Sequence, residues 1–504
     1  MKQKIPEVFD VCVLGCGPAG FAGAMRALDF GRHVCIVEGA EIGGAGVMWG
    51  ALASKTMWEL AKDYAIAAKQ DRGYRVANLT VDYCAMRDSV LQAAKEKQYQ
   101  MLSQIESYSA ARWEGPGSLT LKNGWGRFIS DKAIEVRHPD GTTEEVKAHH
   151  FLIATGSRPR NFPHIAVDQR RVFNSDGILN LQCFPKRLVI IGAGIIGCEY
   201  ATIFSNFAQT KVYLVDRARR IIPFEDTDVS DFVSGNLARN GVRIIHSAQV
   251  RDIVHQRDFL QVVLDFKEGH SEVIEADAAF ISIGRYFDRS RMGLEALGLE
   301  TDKPGILQTD DNCCVKDNIY AAGDLTHHPA LVNIAEMEGR YAVKHMYGKN
   351  TWPLNYDNMS TVMFFYPAVA AVGLNEKACR NKKIPHRVAY YSNALCNRAI
   401  AMRATHGFVK IIVSDDEQQR ILGMRAAGPQ VSSTIMSIAH FLDQGKGILD
   451  VLKSVYPHPT ITEGIEECLR MLLGKSIFKP RVFPEHLQIH RWHPDTGSVD
   501  DTSC

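Results

Sequence analysis

The sequence predicts an α/β fold built around two Rossmann-like units, and three observations predict it. An apolar strand pattern runs into a G-x-G-x-x-G turn and an alanine-rich helical stretch near the N-terminus, FDVCVLGCGPAGFAGAMRALDFGRHVCIVEGA. The same succession returns at RLVIIGAGIIGCEYATIFSNFAQTKVYLVDRARR. At 504 residues the chain is too long for one core, and it has room for about three domains of ordinary size.

In the first unit, Gly15 permits the tight turn, Gly17 lets backbone amides approach a pyrophosphate, and Gly20 lets helix and strand pack closely. Glu38 ends the second strand, where a carboxylate accepts ribose hydroxyls. Gly192, Gly194, Gly197 and Asp216 repeat the pattern in the second unit. Two such units imply two dinucleotides, or one dinucleotide and a flavin dinucleotide. Asp216 favours the free 2′-hydroxyl of NAD, because a carboxylate repels the 2′-phosphate of NADP. Arg217, Arg219 and Arg220 follow it directly. They are either a clamp that admits NADPH beside NADH or a solvated basic turn.

Three further segments belong to this organisation. FLIATGSRPR at 151–160 and AAFISIGR at 278–285 read as strand-to-turn segments where the chain crosses between domains. NIYAAGDLTHHPAL at 318–331 puts Asp324 at a strand end, aimed at a bound cofactor.

Composition narrows the partners. The hydrophobic share is 46%, the charged share 23% and the net charge +1, which gives no electrostatic case for nucleic acid or an acidic membrane surface. Small molecules or a second copy of the chain are expected instead. MKQKIPEVFD lacks an apolar signal core and VCVLGCGPAG is too short and glycine-rich to span a bilayer, so a cytoplasmic location is expected. The 12 cysteines are scattered, with Cys12, Cys35 and Cys198 in apolar strand-like runs, which argues for reduced, buried thiols. There is no Cys-x-x-Cys pair, and His327 and His328 have no acidic or thiol partner nearby in sequence, so no metal is expected.

With these residues in place the chain resembles the two-dinucleotide-binding flavoproteins, the class I pyridine nucleotide-disulfide oxidoreductase family, over about residues 8–475. Within it, the soluble pyridine nucleotide transhydrogenases and dihydrolipoamide dehydrogenases are the most similar, and GLETD at 298–302 matches the former. The resemblance implies FAD in the first unit, with Gly126, Thr155, Gly156 and Asp324 among its contacts, and NAD(H) or NADP(H) in the second, with Gly284. FFYPAVAAVGLNE at 364–376 resembles the start of the family's dimerisation domain, an α+β unit. YPHPTITEGIEE at 456–467 resembles the segment in which a His is paired with a Glu, here His458 and Glu463. In relatives that His is an acid and base at the partner subunit's flavin, which implies a homodimer. The expected domains are FAD-binding at 1–158 and 278–351, NAD(P)-binding at 159–277, dimerisation at 352–475 and a C-terminal tail at 476–504.

The loop GGAGVMWGALASK at 43–55 departs from the family. Disulfide reductases resemble G-G-T-C-x-x-x-x-C-x-P-S-K here, and this chain has Gly46 and Ala51 at the cysteine positions and Ala53 at the proline. Neither residue can attack a disulfide or interact with a flavin as a thiolate does. Lys55 remains, and by the resemblance it lies near flavin N5 and pairs with Glu199, where a cation favours the reduced flavin. Val47, Met48 and Trp49 either line an apolar slot for a planar acceptor such as a quinone or merely fill space. Cys504 has no neighbouring thiol, and the adjacent Cys313 and Cys314 make a poor disulfide, so no replacement relay is expected. The expected function is an FAD-dependent NAD(P)H oxidoreductase whose acceptor is another pyridine nucleotide. A quinone or dye reductase, an NAD(P)H oxidase and a non-enzymatic redox-sensing flavoprotein are the alternatives.

Overall fold

The computed structural model describes residues 6–69, 71, 73–299, 305–349 and 352–500; Cys504 and residues 300–302 of the GLETD segment lie outside them. Phe9–Leu14 is the centre of an eight-stranded sheet, parallel to His33–Glu38 on one side and Thr143–Ile153 on the other. Its side chains alternate between two cores: Val11 and Val13 join Val34 and Ile36 on one face, and Cys12 and Leu14 join Cys35 and Val37 on the other. A strand covered on both faces is apolar where it is buried, which is why VCVL reads as a continuous run, while the half-buried Asp10 near the strand's start accepts the His33 amide at 2.8 Å. Helix Pro18–Asp29 packs on helix Val332–Met346 with almost no spacing, since a Cβ on Gly339 would stand 2.1 Å from the Ala19 carbonyl oxygen.

The second glycine unit forms its own five-stranded parallel sheet, ordered Arg243–Ile245, Lys211–Val215, Arg187–Ile191, Ala278–Ile281, Val172–Asn174. The same alternation recurs, with Leu188 and Ile190 in one core and Val189 and Ile191 in another. A three-stranded antiparallel sheet spanning Ala248–Ala276 joins that second core. The expected boundary at 277 is corrected here: Ala278–Ile281 pairs with Arg187–Ile191 and belongs to this unit. A short apolar run suits either parallel sheet, so its sequence did not assign it. The two crossing segments meet, Arg158–Pro159 pairing antiparallel with Arg285–Tyr286. Cys198, read into a strand-like run, lies instead on helix Ile195–Asn206; like Cys12 and Cys35 it is fully buried.

The C-terminal sheet is antiparallel and seven-stranded. Its last two strands, Leu487–His493 and Gly497–Asp500, come from the segment expected to be a separate tail. Leu487 and Ile489 enter the core, and His490 Nε2 bonds Glu376 Oε2 at 2.9 Å. A buried charge network joins this sheet to the second unit: Lys410 Nζ lies 2.8 Å from Asp226, 2.7 Å from Asp228 and 3.2 Å from Glu376. Among the described residues no helix is long and apolar enough to cross a membrane.

Candidate active site

Both glycine turns open onto one cleft of about 1830 Å³. Gly15 (φ +98°) and Gly192 (φ +102°) take the left-handed turn that follows each central strand. Gly20 and Gly197 seat the helices: a Cβ on either would lie 1.9 Å from the carbonyl oxygen of Gly15 or Gly192. At Gly17 and Gly194, in contrast, a Cβ would meet nothing within 4 Å, so the space a side chain would take stays open at each helix start. Neither N-terminus has a side-chain cap. Uncapped amides beside open space suit the diphosphate of a dinucleotide in each unit.

The two strand-end acids behave alike. Glu38 accepts the Cys16 and Ala40 amides at 2.6 and 2.8 Å, and Asp216 accepts those of Ala193 and Ala218 at 2.5 and 2.7 Å. Each ties its glycine turn to the loop beyond the second strand and retains lone pairs for ribose hydroxyls. Burial pushes the Glu38 carboxyl up, against the opposing pull of the amides. Of the three arginines after Asp216, Arg217 lines the cleft without an ion pair among the described residues, while Arg220 pairs with Asp231.

Between the units, Lys55 and Glu199 meet at the cleft wall, Lys55 Nζ standing 2.8 Å from Glu199 Oε2. Helix Ala51–Ala67 carries the lysine and helix Ile195–Asn206 the acid. Glu199 is buried, and its other oxygen accepts the Phe364 amide at 3.0 Å; Lys55 Nζ also lies 4.9 Å from the Phe364 ring centroid. Gly126, Thr155, Gly156, Gly284 and Asp324 line the same cleft. Asp324 accepts the Ser157 hydroxyl at 2.8 Å.

Sequence reasoning assigned no role to Arg285, which organises this region. It donates to the Ser157 hydroxyl and carbonyl at 2.8 and 2.7 Å and to Ser175 at 3.0 Å, and its Nε lies 3.9 Å from Asp324. Only the final Arg of AAFISIGR hinted at it. Glu338 was also missed. Fully buried, it accepts the Gly323 amide at 2.6 Å and the Tyr356 hydroxyl at 3.0 Å. Burial pushes its pKa up to about 7 from the ordinary 4.5. An acid with a raised folded pKa contributes stability below its unfolded pKa and loses it as pH rises through the folded value. Glu338→Gln is therefore expected to remove a fall of about 3 kcal/mol in unfolding free energy between about pH 4.5 and about pH 7. Urea melts across that range check it.

The loop at 43–55 carries no sulfur into the cleft, and no cysteine is among the residues that line it. A Cβ on Gly46 would stand 2.4 Å from Pro18 Cγ. Cys16 is sealed beneath the first turn, where burial and then the Glu38 charge push its thiol up. Of the two readings of Val47, Met48 and Trp49, a slot lined by all three is not what the structure has: the π-helical turn Ala45–Trp49 folds Val47 into the core below Gly43, Met48 packs on that core, and Trp49 alone of the three lines the cleft.

His458 stands apart from the cleft. Its Nδ1 lies 2.7 Å from Glu463 Oε1, whose other oxygen accepts the Thr460 amide at 2.8 Å, and its side chain is 62% exposed. His327 and His328 line the cleft, His328 stacked on Tyr356 with ring centroids 3.6 Å apart; burial, then His327, lowers the His328 pKa to about 4. Among the described residues no cluster of His, Cys, Asp and Glu is placed to hold a metal ion.

Comparison with known proteins agrees with this architecture. The family model described as pyridine nucleotide-disulphide oxidoreductase matches residues 9–339, and that of its dimerisation domain matches 359–469. Dihydrolipoyl dehydrogenase of Chlamydia muridarum is 29% identical over 481 residues, 94% of this chain and 99% of that protein. That of Bacillus subtilis is 29% identical over 475 residues, 94% and 98% of the two chains. Among solved structures, LpdA from Mycobacterium tuberculosis superposes with a TM-score of 0.84 at 24% identity, covering 92% of this chain and 100% of that one. The HOCl-induced flavoprotein disulfide reductase RclA from Escherichia coli does so at 0.80, 24%, 92% and 100%.

Proposed function

From the premise that this chain belongs to the pyridine nucleotide-disulphide oxidoreductase family, FAD-dependent enzymes that use a pyridine nucleotide, we propose that it moves a hydride from NAD(P)H to a second acceptor without a redox-active disulfide, and that this acceptor is another pyridine nucleotide. One observation carries the reading. The cleft wall keeps the pair of the half-buried Lys55 with the buried Glu199, while the two positions that hold sulfurs in the disulfide reductases are Gly46 and Ala51. A buried carboxylate is expensive to keep unless it is paired, and a cation at the cleft supports reductive chemistry whether or not a dithiol follows it.

Bound FAD supplies a two-electron carrier between the nicotinamide and the acceptor. The chain does the rest. Gly17 and Gly194 leave room for the diphosphates, Glu38 and Asp216 present lone pairs to the riboses, and Ser157 orients Asp324. Asp216 favours NADH, and Arg217, which has no ion pair among the described residues, offers a charge to a 2′-phosphate. That combination supports use of both nucleotides at one site, which a transhydrogenase requires.

The chain carries the family's dimerisation domain, and we assign it a homodimer. Val455, three residues before His458, is 96% exposed, and Ile477 at 73% and Leu449 at 64% add exposed apolar side chains that a second copy would cover. In that dimer His458, held by Glu463, is the acid and base offered to the partner's cleft.

Trp49, the one large aromatic of the loop to reach the cleft, favours a second reading in which a quinone is the acceptor. Anaerobic mixing of the FAD-loaded protein with NADH or NADPH, followed by thio-NADP, a quinone or oxygen, separates the two. Bleaching of the flavin band by both nucleotides and fast reoxidation by thio-NADP is the expected result. Reoxidation by quinone or oxygen alone would overturn the transhydrogenase reading.

A further inference from the structure

Among the described residues only two cysteines are exposed, Cys84 and Cys183, and the fold sets them beside each other. Cys84 lies in the first turn of helix Tyr83–Ser107, and Cys183 in the segment that leads into strand Arg187–Ile191 and the second glycine turn. The Cys84 thiol points at the Gln182 carbonyl oxygen, 3.8 Å away, which puts its sulfur against the peptide that joins Gln182 to Cys183. Side chains on either side of the two thiols clamp the segments together. Tyr83 and Phe184 meet edge to face with ring centroids 4.8 Å apart, and Arg87 Nη1 donates to Gln182 Oε1 at 3.0 Å and to the Leu181 carbonyl at 3.4 Å. Burial pushes the Tyr83 hydroxyl up, and the charges that Cys183 and Cys84 carry when ionised add to this against the pull of Arg87, so both sulfurs stand near one hydroxyl. Neither cysteine lines the cleft.

We propose that Cys84 and Cys183 are a modification site for peroxides, joined on oxidation into a reversible disulfide that staples helix Tyr83–Ser107 to the entry of the second parallel sheet. The thiolate of one cysteine attacks the peroxide, whose O–O bond breaks; a sulfenic acid forms and hydroxide leaves. The other thiolate attacks that sulfur, the S–S bond forms, and the sulfenic oxygen leaves as a second hydroxide. The two thiols give up two electrons and their two protons, and hydrogen peroxide becomes two waters. Exposed thiols react where buried ones are inert, and exposed side chains change rotamer within nanoseconds, which lets the two sulfurs meet. The link closes a loop of about a hundred residues, a length at which a disulfide is strongly stabilising. The site does not depend on what the cleft carries.

The test exposes the full-length, FAD-loaded protein to hydrogen peroxide, blocks the remaining free thiols and maps the digested chain by mass spectrometry. The expected product is one peptide pair joined through Cys84 and Cys183, lighter than the separate thiols by two hydrogens and released by dithiothreitol. Oxidation is expected to raise the melting temperature by about 5 °C. Cys84→Ser and Cys183→Ser are each expected to abolish both the joined pair and the rise, and to leave the melting temperature of the untreated protein and flavin reduction by NADH unchanged; both positions are exposed, so serine is tolerated there. Three results would overturn the proposal: both thiols still open to blocking after peroxide, oxidation of each to sulfinic or sulfonic acid without a joined pair, or a disulfide that links two copies of the chain on a non-reducing gel.

Discussion

Lys55→Met is expected to slow reduction of the bound flavin by NADH by about a hundredfold, on the scale of removing one preorganised charge stabiliser from an active site. Lys55 Nζ is fixed by Glu199 at 2.8 Å over the Phe364 ring. Methionine keeps the length of the side chain and removes the cation from the wall where negative charge develops. It also leaves Glu199, 5% exposed, with the Phe364 amide as its remaining partner. Part of the loss will therefore appear as lower stability, because an uncompensated buried charge is costly. Glu199→Gln separates the two effects. It keeps a hydrogen-bond acceptor for Lys55 and leaves the cation in place, so it is expected to slow reduction less than Lys55→Met does. Anaerobic stopped-flow at the flavin band, with thermal melts alongside, checks both variants; a Lys55→Met rate within about threefold of wild type would remove the pair from the chemistry.

Lys410→Met is expected to cost about 3–5 kcal/mol of stability, the range for breaking a buried ion pair from one side. Lys410 is 1% exposed and serves Asp226, Asp228 and Glu376 together, so its loss strands carboxylates between the second unit and the C-terminal sheet. Burial raises the Glu376 pKa, but the His490 hydrogen bond and the Lys410 charge outweigh it and hold the carboxyl well below the ordinary range. An acid with a depressed folded pKa contributes stability above its unfolded pKa and loses it as pH falls toward the folded value. The gap between wild type and Lys410→Met should therefore narrow as pH falls below about 4.5. Chemical denaturation at neutral and acid pH measures it, and a constant gap would contradict the role given to the network.

What the sequence revealed follows physical range. The glycine units were legible because turn, helix start and strand-end acid lie within one βαβ stretch, and each of those residues acts on its close neighbours. Lys55 and Glu199, 144 residues apart, came together only through the family resemblance. Lys410 was invisible: within FVKIIVS it reads as an exposed interruption, and its carboxylate partners come from two other segments. Arg285 escaped for the same reason, since Ser157, Ser175 and Asp324 converge on it only after the chain has crossed between sheets. The last two strands did leave a local trace. Leu487 and Ile489 alternate with polar residues, and HPDTG after them is a hairpin turn.

The most direct measurement is an anaerobic reductive titration of the FAD-loaded protein, counting electrons taken up per flavin. Without a redox disulfide the flavin band should be fully bleached after about two electrons per FAD, whereas a working dithiol adds a second two-electron couple. Uptake of about two would bear out hydride transfer by the flavin alone; uptake of about four would contradict it and return the protein to the disulfide reductases.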